Sequence, residues 1–437
     1  MEAYAEYKDS GVDWLGQVPA DWKEKPIFAI ADLRSTSGLQ NRELLSVYLN
    51  QGVIRFSDVT EKRTNVTSLD LSNYQGVEKG DLVLNNQQAW RGSVGVSPYT
   101  GIVSPAYIIL KLCADLNTKF SNYFFRDGAM VAHYLTSSKG VGTIQRNLYW
   151  PKLKRAPVFL PPLPEQTAIA GFLDDKVGKV EELVAIKQAQ IALLKERKQI
   201  LIQEVVTKGL NPDAPMKDSG IDWIGQIPAH WEVKPLKRLL ARPLKYGANE
   251  EAKESIVGDP RYIRITDFDT DGSLRSDTVR TLPHKVAKDY MLESGDILLA
   301  RSGGTVGKAF LFRENIEACF AGYLIQAKPN EVHVSSVFLD YYLRSPAFEA
   351  WKDKTFSRAT IQNISAEKYA VLPVPCPPLS EQKSIVVDLA ASAGRLDEAI
   401  EVKQRQIEAL KEYKVTLINA AVTGKIKVPE QYFSKDV

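Results

Sequence analysis

Two stretches in the first half of the chain concentrate side chains able to read a nucleic-acid base. Asn85-Asn86-Gln87-Gln88-Ala89-Trp90-Arg91 follows a short apolar run, and residues 137–147 end in Gln145, Arg146 and Asn147 behind a Gly-Val-Gly turn. In the major groove a guanidinium matches guanine with two hydrogen bonds, and an Asn or Gln amide matches adenine in the same way. The second half carries this chemistry at corresponding places, with Arg301, Ser302 and Thr305 in one segment and Arg358, Gln362 and Asn363 in the other. Glycines beside them let the backbone come close to phosphates. A single polar loop residue is most simply a solvated one. Two such loops recurring at equivalent positions with changed side chains are what mark Gln88, Trp90, Arg91, Gln145, Arg146 and Asn147 together with their second-half counterparts. Thr143-Ile144-Gln145 and Thr360-Ile361-Gln362 are shared by both halves, so they suit backbone contact or loop support. Trp90 and Arg91 against Arg301 and Ser302 differ, which suits the reading of different bases.

Enzyme chemistry does not appear in the same scan. Residues 303–309, GGTVGKA, are too short for a phosphate loop and put Ala309 where a magnesium-binding Ser or Thr is needed. Gly140-Val141-Gly142 is a lone GxG, and the Asn211-Pro212 dipeptide lacks the aromatic that would stack a flipped base. His133, His230, His284 and His333 are far apart, and Cys113, Cys319 and Cys376 show no CxxC spacing, so no catalytic residue or metal ligand is expected.

The elements that must position these loops are written twice. Residues 8–27, KDSGVDWLGQVPADWKEKPI, recur as 217–236 with thirteen of twenty positions identical. Gly80-Asp81-Leu82 returns as Gly295-Asp296-Ile297, and PPLPEQ at 161–166 returns as PPLSEQ at 377–382. Internal repetition of this kind means one scaffold duplicated, with unlike surfaces mounted on it. Apolar runs at 44–49, 82–84, 102–110, 262–266, 296–300 and 320–327 read as strands, and aromatic helices are expected near 119–136 and 335–352. Prolines close each mixed domain, Pro164 fits a first helical turn, and Ser380 is a plausible N-cap. Trp14, Trp22, Trp223 and Trp231 are the same in both halves, so they read as core or interface anchors and not as base-stacking groups.

Long heptad helices follow each proline group. One seam carries Leu173, Val177, Val180, Val184, Ile191, Leu194 and Leu201; the other carries Leu389, Leu396, Ile400, Ile407, Leu410 and Leu417. Lysines interrupt both stripes at the same places, which favours packing of one stripe on the other. A pseudo-two-fold repeat would run the two helices antiparallel, and about 40 residues at 1.5 Å each make a strut of roughly 60 Å. The fold class is thus α+β: two mixed domains at 1–160 and 211–377 and two helical regions at 161–210 and 378–437. With 437 residues, 44% hydrophobic content and a net charge of +3, the chain can bury real cores, and any nucleic-acid surface must be a local patch. Few cysteines, no basic and apolar leader and no run of about 18 apolar residues lead to the expectation of a soluble cytoplasmic protein without a membrane partner.

The paired KDSG-x-DW-x-GQ-x-PA-x-W segments, the PPLPEQ and PPLSEQ helix starts and the KQ-x-QI-x-x-LKE helices resemble type I restriction–modification specificity subunits. Residues 261–268, RYIRITDF, resemble the start of a target-recognition domain, which adds Arg264 to the DNA-contact candidates. The first half departs here, with LLSVYL at 44–49, and suggests a different subclass. The resemblance implies two target-recognition domains, each reading one half of a split site in double-stranded DNA, with an antiparallel coiled coil fixing the spacer. It implies two modification (methyltransferase) subunits and restriction (endonuclease and translocase) subunits as partners. S-adenosylmethionine, ATP and Mg would be bound by those partners and no cofactor by this subunit, which would be non-catalytic by itself.

Overall fold

The computed structural model describes residues 2–39, 41–49, 51–59, 70–141, 145–252, 254–269, 272–303, 306–356 and 363–433, with the side chains of Val141 and Gln145 left aside. They form two compact units: residues 1–187 with 405–437, and residues 188–404. Each unit is a mixed domain joined to portions of two long helices, Leu163–Lys208 and Leu379–Val422.

In the first unit a four-stranded antiparallel sheet is built from β1 (Ala31–Leu33), β2 (Leu82–Asn85), β3 (Val94–Val96) and β4 (Tyr107–Leu112), in the order β1-β4-β2-β3. The second unit repeats that order with β5 (Lys245–Tyr246), β6 (Ile297–Ala300), β7 (Ala309–Leu311) and β8 (Leu324–Ala327), as β5-β8-β6-β7. The continuous apolar runs of β2 and β6 make strands buried on both faces. The units differ beside the sheet. The first adds a hairpin of Leu45–Tyr48 with Gly52–Arg55, the second a parallel pair of Arg261–Ile263 with Ala318–Phe320.

Several expected elements are divided. The run 102–110 gives Gly101–Val103 and then β4, because the intervening Pro105 has no N–H for a ladder. The run 320–327 likewise splits into Ala318–Phe320 and β8. The first aromatic helix breaks at Asp127, whose extended backbone and side chain cap Gly128–Thr136. The second breaks ahead of Pro346, which disfavours helical backbone in the residue before it. The second long helix opens at Leu379, so Ser380 sits in its first turn and is not its N-cap.

The twenty-residue repeat forms a clasp. Tyr7–Asp9 pairs with Gln17–Pro19, and Lys23–Pro26 pairs with Pro157–Leu160 just before the first long helix. Met216–Asp218, Gln226–Pro228, Glu232–Pro235 and Pro373–Cys376 repeat the arrangement in the second unit. Trp22 and Trp231 are fully buried, as their repetition suggested. Trp14 is 41% exposed and lies edge-on to His133, while Trp223 faces the Lys354 ammonium at 4.6 Å.

The PPLPEQ and PPLSEQ motifs bind the clasp to the helices. Trp22 Nε1 donates to Glu165 at 3.4 Å, and Trp231 Nε1 donates to Glu381 at 3.0 Å. Gln166 Nε2 donates to the carbonyls of Asp115 and Pro161, and its Oε1 accepts from the Asn117 N–H. Gln382 makes the same three bonds, to the carbonyls of His333 and Pro377 and from the Ser335 N–H. Burial of both glutamines without these partners would cost each stranded group about 1–3 kcal/mol.

Within each unit the beginning of one long helix packs against the end of the other. Ala168, Ile169, Phe172 and Leu173 share a core with Leu417, Ala421 and Val422; Ile202, Val205 and Val206 share one with Ile385 and Leu389. Every seam residue named from the heptads is buried or half-buried. Seam lysines reach across: Lys414 to Glu181 in the first unit at 2.5 Å, Lys198 to Asp397 in the second at 2.6 Å. Matching polar groups also pin helix to domain. Asn419 Nδ2 donates to Asp127 Oδ1 at 3.0 Å, and Gln203 Oε1 accepts from the Ala347 N–H at 2.7 Å.

Gly424 ends the second long helix at φ +72°, where a Cβ would lie 2.3 Å from Pro19 and 3.2 Å from Trp22. Gly178, inside the first long helix, faces open space. Gly424→Ala is expected to destabilise the protein by about 1–3 kcal/mol and Gly178→Ala to stabilise it by about 0.5–1 kcal/mol, read as opposite shifts in denaturation midpoint. Burial beneath Trp14 lowers the His133 pKa from 6.5 to about 4. The unfolded chain therefore takes up this proton first, and its contribution to stability, full above pH 6.5, is lost as pH falls toward about 4. His133→Phe should flatten the acid limb of stability against pH by roughly 3 kcal/mol at most; parallel wild-type and variant curves would refute the assignment.

Candidate nucleic-acid interface

The loops singled out by their chemistry are held together by one hydrogen bond that both units repeat. In the first, Leu148 N–H donates to the Asn86 carbonyl at 3.0 Å; in the second, Ile364 N–H donates to the Arg301 carbonyl at 2.9 Å. Each bond ties the segment leaving the central strand, β2 or β6, to the later loop. The frame is constant. The side chains on it are not.

In the first unit, Ala89–Arg91 forms a single tight turn that ends on Gly92. Trp90 Nε1 donates to the Gln87 carbonyl at 3.0 Å, which fixes the indole. The Arg91 guanidinium lies 4.6 Å from the Trp90 ring and that of Arg146 5.6 Å. Arg146 belongs to a hairpin of Ser138–Val141 with Gln145–Leu148, in which Lys139 pairs with Asn147 and Gly140 with Arg146. The Lys139 ammonium caps the exposed Tyr149 ring at 3.7 Å. Gln88 is half-buried and Asn147 exposed. Gln145 lies at the start of the second hairpin strand, and Thr143 and Ile144 fall outside the described residues.

In the second unit, Ser302 bridges Asn363 in antiparallel fashion, and Arg301 N–H donates to the Tyr323 carbonyl at 3.0 Å. The Arg301 guanidinium lies 4.8 Å from the ring of Tyr246. Arg301, Ser302 and Asn363 are thus brought together. Thr305, Arg358 and Gln362, with Thr360 and Ile361, lie outside the described residues. Asn86 Oδ1 in the first unit, and Arg301 Nε and Asn363 Oδ1 in the second, are buried without a hydrogen-bond partner among the described residues.

Arginine surroundings separate structural from available cations. Arg34, Arg42 and Arg55 pair with Asp81, Glu78 and Glu43, and Arg313 and Arg344 share Asp340. Arg264 is of this kind: its guanidinium grips the buried Asp267 through two bonds and donates to the Thr278 carbonyl. Its donors are engaged in holding the 265–267 turn. Arg91, Arg146 and Arg301 instead rest on aromatic faces, and none forms an ion pair among the described residues. An aromatic face orients a guanidinium without consuming its N–H donors.

Lys139, Tyr149 and Tyr246 join this site without having been singled out. Alternation of basic and aromatic residues at 139–149 was the available signal for the first two. Tyr246 lies far upstream of Arg301 in sequence, and only the pairing of β5 with β8 delivers it. Among the described residues no group of three or more His, Cys, Asp or Glu could hold a metal, and no helix is long and apolar enough to cross a membrane.

Both the sequence and the fold have counterparts among known proteins. The family described as the type I restriction modification DNA specificity domain matches residues 228–412. The MjaVIII type I restriction enzyme specificity subunit of Methanocaldococcus jannaschii is 26% identical over 89% of this chain and 87% of its own. The EcoBI specificity subunit of Escherichia coli is 28% identical over 52% of this chain and 49% of its own. In fold, the chain is similar to the HsdS subunit of Thermoanaerobacter tengcongensis, with a TM-score of 0.52 and 16% identity over 94% of this chain and 98% of that one. A chain from a study of assembly and conformational transition of the type I R-M system superposes with a TM-score of 0.70 at 17% identity, over 94% and 99% of the two chains. In sequence and in fold alike, the chain is similar to specificity subunits of type I restriction systems.

Arg264→Ala should destabilise the second unit by about 3–5 kcal/mol, since it strands a buried carboxylate. Arg91→Ala should leave the denaturation midpoint within about 0.5 kcal/mol of wild type. Equal midpoints for the two variants would remove the distinction drawn between paired and available arginines.

Proposed function

We propose that this chain is the sequence-specific DNA-binding subunit of a type I restriction–modification complex, in which each unit reads one half of a bipartite site in double-stranded DNA. The observation that carries this reading is the repeated loop frame bearing different aromatic-held arginines, Arg91 and Arg146 on Trp90 in one unit and Arg301 on Tyr246 in the other. Bidentate donors held clear of carboxylates suit base edges in a major groove, and Lys139 beside them suits phosphate. The long helices set the spacer between half-sites. The subunit directs methylation or cleavage without catalysing either. Two modification subunits and the restriction subunits supply the chemistry and bind S-adenosylmethionine, ATP and Mg; the complex works in the cytoplasm.

Requiring two half-sites at once multiplies specificity, since each mismatched pair costs roughly 1–3 kcal/mol. Because Lys198 and Lys414 fix the helix register through Asp397 and Glu181, an insertion in one helix alone would break it. Matched seven-residue insertions, between 187 and 198 in one helix and between 397 and 408 in the other, keep the heptads aligned. Selection from random duplex DNA should then return both wild-type half-sites with a longer spacer. An unchanged spacer would refute the ruler role, and failure of the wild-type chain to select any sequence would refute DNA reading.

A further inference from the structure

Arg301 is fixed on three sides. Its N–H donates to the Tyr323 carbonyl, its carbonyl accepts from Ile364, and its guanidinium faces the Tyr246 ring at 4.8 Å. Tyr246 is itself anchored, since its hydroxyl accepts from the Ala366 N–H at 2.9 Å and it pairs with Ile325 at the sheet edge. The next residue must be glycine: a Cβ on Gly247 would meet the Ala321 carbonyl oxygen at 2.3 Å. The ring therefore enters the site at one place. Glu367 lies near enough that Arg301 adds to the lowering of its carboxyl pKa, behind the larger effect of the Ser365 hydroxyl, yet the two form no ion pair.

Asn363 pairs with Ser302, the residue after Arg301, across an antiparallel bridge. Arg301 Nε and Asn363 Oδ1 are closed to solvent and have no hydrogen-bond partner among the described residues, which leaves the terminal nitrogens of the guanidinium to meet a ligand. Guanine presents two acceptors, N7 and O6, on its major-groove edge, the pair that a guanidinium matches with two hydrogen bonds. We infer that Arg301 reads the guanine of one G·C pair of the half-site bound by the second unit, with Tyr246 as the positioning residue that aims it. This rests on the DNA-reading role proposed above and names the base for one of its readers. A phosphate contact would instead be blind to sequence.

In-vitro selection from random duplex DNA with the full-length chain tests this. Wild type should enrich a two-part motif. Arg301→Ala should erase preference at a single G·C position in one part and leave the other part intact, and Arg301→Lys, which keeps the charge, should do the same. Tyr246→Leu should blur that same position, while Tyr246→Phe, which keeps the ring, should retain it. Replacing that guanine by 7-deazaguanine, which lacks N7, should weaken wild-type binding about tenfold and leave Arg301→Ala binding unchanged. Equal weakening on all sequences by Arg301→Ala would show a phosphate contact and overturn the inference, as would an unaltered motif. Absence of any motif with wild type would instead overturn the DNA-reading role beneath it.

Discussion

A buried tryptophan held at the meeting of two helix ends is the contact on which each unit depends. In the first unit, the Trp22 indole N–H donates to Glu165 at the start of one long helix, while its ring lies against Gly424 at the end of the other. In the second, Trp231 donates to Glu381 and its ring approaches Gly209. Desolvation of the indole is offset only if its N–H finds a partner, and the close glycine approach leaves no room for a side chain. Burial raises the pKa of Glu165, whose carboxylate also accepts from Tyr4. The glutamine beside each glutamate fastens the same helix start to the mixed domain. A seven-residue heptad can slide; this knot cannot.

A rigid frame matters because the side chains mounted on it must be placed to within a hydrogen bond. The sheet order, the clasp and the bond that ties the two loops are common to both units, whereas Asn86 occupies the place that Arg301 takes in the other. Two kinds of arginine then do different work. Those gripping carboxylates, such as Arg264 on Asp267, spend their donors on the fold. Those lying on Trp90 or Tyr246 gain orientation from a ring without an ion pair, and for Arg301 a cost shows in its Nε, buried without a partner among the described residues.

Much of this was legible in sequence because duplication exposes it. Thirteen identities in twenty positions located the clasp, and lysines at matching heptad positions foretold the pairing of the long helices. The glutamate and glutamine of PPLPEQ were visible only as a helix start, since their partners at Trp22 and Asn117 are remote in sequence. Local patterns misled where a backbone requirement intervened: Pro105 divided an apolar run, and Asp127 divided an aromatic helix. The three-residue spacing of Arg264 and Asp267 offered a signal for a structural pair that family resemblance outweighed. Tyr246 carried no signal, because a strand pairing and not a motif brings it to Arg301.

The first unit is completed by residues 405–437, though its other residues are 1–187. A ribosome therefore finishes every part of the second unit while the first still lacks one wall of its core, formed by Leu417, Ala421 and Val422. Translation order and closure order are inverted. During synthesis the earlier-made domain waits with apolar surface uncovered, so a stop codon near the 3′ end of the message would harm the domain encoded at the 5′ end.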